Sequence, residues 1–131
     1  MQTFELQTPG HAAFVDVTAQ VADAARASGV AEGVVMVSVP HTTAGITINE
    51  NADPSVRADL LMTLDRLVPT TLPFTHAEGN ADGHVKASLM GSSVHVPLTG
   101  GRLELGTWQG VYFCEFDGPR RRRFDVTVLP A

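Results

Sequence analysis

Five histidines offer the first chemistry in this sequence: His11, His41, His76, His84 and His95. Three stand where a site would want them. His41 follows an apolar run that ends at Pro40, and His76 and His84 bracket the polar stretch H-A-E-G-N-A-D-G-H. Neutral imidazole is the commonest metal ligand, and three of them leave a position open for water or substrate. The stretch also offers Glu78, Asn80 and Asp82. Its spacing matches no zinc signature, since HExxH is absent and Cys114 is the only cysteine. The plainer alternative is a set of loop histidines bonded to backbone or solvent. His95 alternates with Val94 and Val96 and should face away from them, toward a surface. His11, after Pro9-Gly10, reads as a turn residue.

Three further groups of polar residues stand out. In H-T-T-A-G-I-T-I-N-E-N-A-D-P, residues 41–54, the hydroxyls of Thr42 and Thr43 stand near a glycine, and Asn49, Glu50, Asn51 and Asp53 crowd the approach to a helix. Asp53 suits a helix cap, and the others exceed what a cap needs, so they are candidates to orient a polar substrate or support a metal. In G-T-W-Q-G, residues 106–110, Trp108 is the only tryptophan and reads first as core or subunit packing, while Gln109 can hydrogen-bond a ligand edge. Glu115 should share a strand face with Val111 and Phe113. A carboxylate buried there needs a partner, with Arg120 and Arg122 as the candidates. The run Arg120 to Arg123 either grips phosphate or protects a sheet edge, and alternation lets only every second arginine serve one site.

The elements that must position these groups are legible in outline. Residues 3–7 alternate as a strand. Residues 16–28 read as a helix capped by Asp16, with Val17, Val21, Ala24 and Ser28 on one face and Gly29 as the stop. Residues 33–39 are a buried strand and 44–49 an alternating one. The strongest helix is 54–68, where Asp53-Pro54 supplies cap and first position and Val56, Leu60, Leu64 and Leu67 form a stripe. Residues 82–90 read as a short helix with Asp82 as cap. Strands follow at 93–98, 102–105, 107–116 and 122–129, separated by Gly100-Gly101 and Asp117-Gly118-Pro119 turns. Without a regular βαβ rhythm, the expected class is α+β: a largely antiparallel sheet or sandwich with two longer helices and one short helix.

Composition bounds the rest. The 131 residues suit one domain, 1–131, and 44% hydrophobic residues are too many for disorder. A formal charge of −5 argues against nucleic acid and anionic membranes as partners and leaves a small-molecule substrate. No run approaches the roughly 20 apolar residues of a membrane span, and no signal peptide is read at MQTFELQTPG. With one cysteine, the expected location is the reducing cytoplasm. The sequence has no GxxxxGK[ST] phosphate loop, and Ser88, Ser92 and Ser93 lack the G-x-S-x-G setting, which weighs against nucleotide hydrolysis and serine catalysis.

Taken together, HTTAGITINENADPSVRADL, HAEGNADGHVKASLMGSSVHVPL and GRLELGTWQGVYFCEFDGPRRRR resemble the YjbQ-like family over most of the chain. That family is assigned a secondary thiamine-phosphate synthase activity. The resemblance implies a compact α+β fold and a homotrimer with sites near subunit boundaries. It implies His41, His76 and His84 as metal ligands, with Asn49, Glu50, Gln109 and Glu115 as catalytic candidates. Thr42, Thr43, Asp53, Trp108, Arg120 and Arg122 would then contact substrate. The implied reaction joins hydroxymethylpyrimidine diphosphate to thiazole phosphate and releases pyrophosphate. Three histidines suit zinc or another transition metal, and a diphosphate substrate suits magnesium. Two alternatives stand beside this one. One is a metal-dependent hydrolase of a small phosphorylated or acyl metabolite, with Glu50 or Glu78 as base. The other is a trimer that binds a metal or ligand without catalysis.

Overall fold

The structure is a computed structural model that describes residues 1–131. Its elements run β1 (Gln2–Gln7), β2 (Ala13–Asp16), α1 (Thr18–Ala27), β3 (Gly33–Ser38), β4 (Ala44–Glu50), α2 (Pro54–Leu67), α3 (Ala81–Met90), β5 (Ser93–Thr99), β6 (Arg102–Leu103), β7 (Gln109–Glu115) and β8 (Arg121–Pro130). The strands form two antiparallel sheets, β1-β8-β3-β5-β6 and β2-β7-β4. This is the expected α+β class. The helix lengths differ from expectation: α2 has 14 residues, and α1 and α3 have 10 each.

Local chemistry sets most boundaries. Asp16 is not the cap of α1: it ends β2, which pairs with β7, and the cap position is Val17, although Asp16 accepts the Thr18 N–H at 2.9 Å and its hydroxyl at 2.5 Å. Asp53 accepts the Ser55 N–H at 2.9 Å, and Pro54 opens α2 where a missing N–H costs nothing. Asp82 is not the cap of α3. That position belongs to Asn80, and Asp82 lies buried in the first turn against Lys86 Nζ at 3.3 Å.

The main core fills the space between the sheets and α1, where Val21, Val35, Val37, Ile46, Val111, Phe113 and Phe124 are sealed from solvent. A smaller core lies on the outer face of the three-stranded sheet. There Phe14, Tyr112, Cys114 and Phe116 meet Leu64 of α2 and Ala87 of α3. The predicted α2 stripe is only partly buried, with Leu64 covered and Leu67 68% exposed.

Two glycines bring α3 backbone-close to this sheet. A Cβ on Gly45 would lie 2.8 Å from the Gly91 carbonyl oxygen, and one on Gly83 would lie 2.9 Å from that of Phe116. Neither neighbour is a side chain that can swing away. Gly45→Ala and Gly83→Ala should each lower stability by about 1–3 kcal/mol in urea unfolding. Gly10→Ala faces open space and should stay within about 0.5 kcal/mol of the parent.

Candidate functional site

The connection between β3 and β4 carries His41, Thr42 and Thr43, and its position is set by a buried ion pair. Glu115 ends β7 with no exposed surface, and Arg122, 6% exposed, is the second residue of β8. Arg122 Nε donates to Glu115 Oε1 at 2.8 Å and Nη2 donates to Oε2 at 2.5 Å. Of the two arginines expected as partners, Arg122 is therefore the one. The Thr8 hydroxyl donates to Oε1 at 2.7 Å, and the Phe116 and Asp117 N–H groups donate to Oε2 at 3.0 Å each. Arg122 Nη2 also donates to the Thr43 hydroxyl at 2.8 Å, which ties the connection to both sheets. Burial alone would raise the Glu115 carboxyl, but the Arg122 and Thr8 hydrogen bonds outweigh it and hold the group below the usual glutamate value.

His41 is clamped on two sides. Its ring meets Phe113 edge-on at 6.5 Å, and its Nε2 accepts the Arg123 backbone N–H at 3.1 Å. That N–H lies beyond the last β3–β8 pair, Ser38 with Asp125, so the imidazole takes over where the ladder ends. With Nε2 accepting, the proton of the neutral ring sits on Nδ1. Burial, and then the Arg122 guanidinium, push the His41 pKa below the ordinary histidine value.

His76 and His84 come together, their rings edge to face with centroids 5.3 Å apart. A relay fixes the His76 ring. Arg120 Nη2 and Asn80 Nδ2 both donate to Asp117 Oδ2 at 2.8 Å, and Asn80 Oδ1 faces His76 Nε2 at 3.0 Å. Because the carboxylate only accepts, Asn80 must turn its amide N–H₂ toward Asp117 and its oxygen toward the ring. His76 then donates from Nε2, and in the neutral ring Nδ1 keeps a free lone pair. Nothing in the sequence announces this relay beyond the Asp117-Gly118-Pro119 turn.

His84 and His41 line one cavity of about 490 Å³, together with Thr42, Ser88 and Ser92. No group of three His, Cys, Asp or Glu side chains in the chain is arranged to hold a metal ion. His41 engages its Nε2 lone pair with the Arg123 backbone N–H, which leaves the proton of the neutral ring on Nδ1. His76, oriented through the Asn80 amide and the Asp117 carboxylate, has the outer hydrogen-bond support that metal-binding histidines use.

The other candidates sit elsewhere. In the β4–β7 register Ala44 faces Glu115 at one end and Glu50 faces Gln109 at the other. Six residue steps separate those ends, roughly 20 Å. Asn49, Glu50, Asp53, Trp108 and Gln109 therefore lie remote from the histidine cleft of their own chain. There Gln109 Oε1 accepts the Gly106 N–H at 2.8 Å, the Glu50 carbonyl accepts the Tyr112 hydroxyl at 3.1 Å, and Asp53 caps α2. Trp108 is 62% exposed, so it packs into no core of this chain. Glu78 lies 3.9 Å from His76 Nε2 on the exposed loop. Arg120 pairs with Asp117, and Arg122 pairs with Glu115.

The family model described as UPF0047 protein YjbQ-like matches residues 2–131. The UPF0047 protein MJ1081 of Methanocaldococcus jannaschii is 48% identical over 126 residues, covering 96% of this chain and 91% of the relative. The UPF0047 protein YugU of Bacillus subtilis is 46% identical over 130 residues, 98% of each chain. Among solved structures, an uncharacterized conserved protein of the yjbq/upf0047 family from Clostridium acetobutylicum superposes with a TM-score of 0.97 at 50% identity, covering 98% of this chain and 100% of that one. A hypothetical protein from Aeropyrum pernix gives 0.94 at 35% identity, covering 99% and 98%.

Glu115→Gln keeps the shape but strips Arg122 of its counter-charge, and should cost about 3–5 kcal/mol in urea unfolding. The acid limb carries the sign. A carboxyl lowered in the folded state stabilises fully above its ordinary value and loses that contribution as pH falls through its folded value. His41, also lowered, adds a loss in the same direction that begins on descending through the ordinary histidine range. Stability of the parent should thus fall on acidification, and Glu115→Gln should flatten the lower part of that fall.

Proposed function

The chain belongs to the YjbQ-like UPF0047 family, and on that premise we propose an enzyme that acts on a small phosphorylated molecule at the His76–His84 pair. The observation that carries this reading is the ring pair itself, 5.3 Å between centroids, with His76 held in one tautomer by the Asn80–Asp117–Arg120 relay and His84 in the cavity wall. An imidazole fixed in this way, with Nδ1 free, is positioned for proton transfer.

In its finer form the proposal is a transfer of the thiamine-phosphate synthase type, supported by the sequence resemblance. A bond to the methylene carbon of hydroxymethylpyrimidine diphosphate forms from thiazole phosphate as the carbon–oxygen bond to the diphosphate breaks. The histidine pair faces the departing pyrophosphate, where negative charge develops. Thr42 and Ser88 offer hydroxyls to the bound substrate. In this proposal a divalent ion, zinc or another transition metal, would be held by His76 and His84 and would supply Lewis-acid polarisation. The active form is a homotrimer, a reading that the exposed Met62, Leu67 and Leu89 on α2 and α3 support.

With the two phosphorylated substrates supplied, His84→Ala and His76→Ala should each lower the rate of thiamine phosphate formation by about 10²–10⁴-fold. A parent rate no faster than that of His84→Ala would overturn the catalytic reading. Native mass spectrometry reads the two remaining parts together. It should give a trimer of three 13.9 kDa chains whose bound ion is lost in His84→Ala and kept in His41→Ala.

A further inference from the structure

We propose that a second pocket, on the other side of His41, binds the phosphate end of the substrate through Arg121 and Arg123. This rests on the reading of the histidine cleft as a substrate site and assigns that site a second compartment.

The pocket measures about 270 Å³, and its lining is Glu5, Pro40, His41, Arg121, Arg122 and Arg123. His41 lines both, so the two cavities lie on either side of its ring. The smaller one has no aliphatic or aromatic wall beyond the proline and imidazole rings. Alternation along β8 puts Arg121 and Arg123 on the exposed face and Arg122 inside. Glu5 pairs with Arg121, and Glu115 pairs with Arg122. The Arg123 side chain makes no ion pair, so this wall carries one uncompensated cation on a chain whose net charge is −5.

Edge protection does not explain these arginines. Along Arg121–Arg123 strand β8 pairs with β1 alone, and on its other side the His41 ring already takes the Arg123 N–H. What they share with His41 is donor chemistry. Two guanidinium forks on one strand face match the oxygens of a phosphate or diphosphate, and the His41 Nδ1–H is the one donor its ring has left. A phosphate seated here would send the rest of its molecule past His41 toward His84. The compartment lined by His84 and the compartment holding the anion then take two ends of one molecule.

The test is calorimetric titration of the full chain with inorganic pyrophosphate and inorganic phosphate, with malonate as a carboxylate comparison. The parent should bind pyrophosphate more tightly than malonate. An Arg121→Gln/Arg123→Gln variant should bind it about tenfold or more weakly, whereas Arg102→Gln, on the distant β6, should bind as the parent does. If thermal melting shows the double variant to be unfolded, the single Arg123→Gln variant is read instead, because its side chain makes no ion pair to lose. Unchanged pyrophosphate binding in the arginine variants, equal affinity for malonate, or no binding by the parent at millimolar concentration would each overturn the proposal. Turnover lost in His84→Ala alongside unchanged binding in the arginine variants removes this inference and leaves the catalytic reading standing. Arginine-dependent binding alongside unchanged turnover in His84→Ala does the reverse.

Discussion

Two charges that water would otherwise solvate are locked together where the two sheets meet, and the site depends on their being there. Glu115 comes from the three-stranded sheet and Arg122 from the five-stranded one. Between them they also hold Thr8, which precedes the turn at Pro9-Gly10, and Thr43, which follows His41. A buried carboxylate is tolerable only when its lone pairs are filled, and here five donors fill them. The pair is costly to bury and contributes little net stability of its own. What it contributes is placement: the β3–β4 connection, and with it His41, has one position relative to β8.

From that anchor the cleft assembles in layers. Gly45 and Gly83 let α3 sit down on the three-stranded sheet, which brings His84 across from His41. The turn after Glu115 presents Asp117, which orients Asn80 and through it His76. Each histidine is thus placed by a different element, and each of those elements leads back to the end of β7. The residues at the opposite end of β7, around Trp108 and Gln109, answer to another set of contacts.

Much of the fold was legible because the signals were local. Asp53-Pro54, Gly91, the Gly100-Gly101 turn and the alternation in β8 all act within a few residues, and the structure has boundaries close to them. Strand β2 escaped because its four residues run straight into the cap of α1, and a helical stripe that begins at Val17 masks the strand before it. The long α2 stripe promised more burial than it received, since periodicity reports which face is apolar and not how much lies opposite. The site was harder. That Glu115 needs a cation followed from burial on an alternating strand, but the choice between Arg120 and Arg122 depended on how the Asp117-Gly118-Pro119 turn aims its neighbours. The grouping of Asn49 and Glu50 with His41 followed sequence proximity, and a seven-residue strand carried them to opposite ends. The Asp82–Lys86 pair had a readable i,i+4 spacing, yet the burial of both partners, and the approach of Asp65 of α2 to Lys86 Nζ at 3.5 Å, are set by tertiary packing.

The His41 imidazole does the work of a missing β-strand residue, and this limits how the cleft can respond when something enters it. Rotating the ring toward a guest would strip the Arg123 amide of its acceptor. A ligand therefore meets this histidine in a fixed orientation, with one proton on offer and no freedom to change face. Recognition at that point works by complementarity to a rigid mould, and the entropy of ordering the ring has already been spent in folding the sheet.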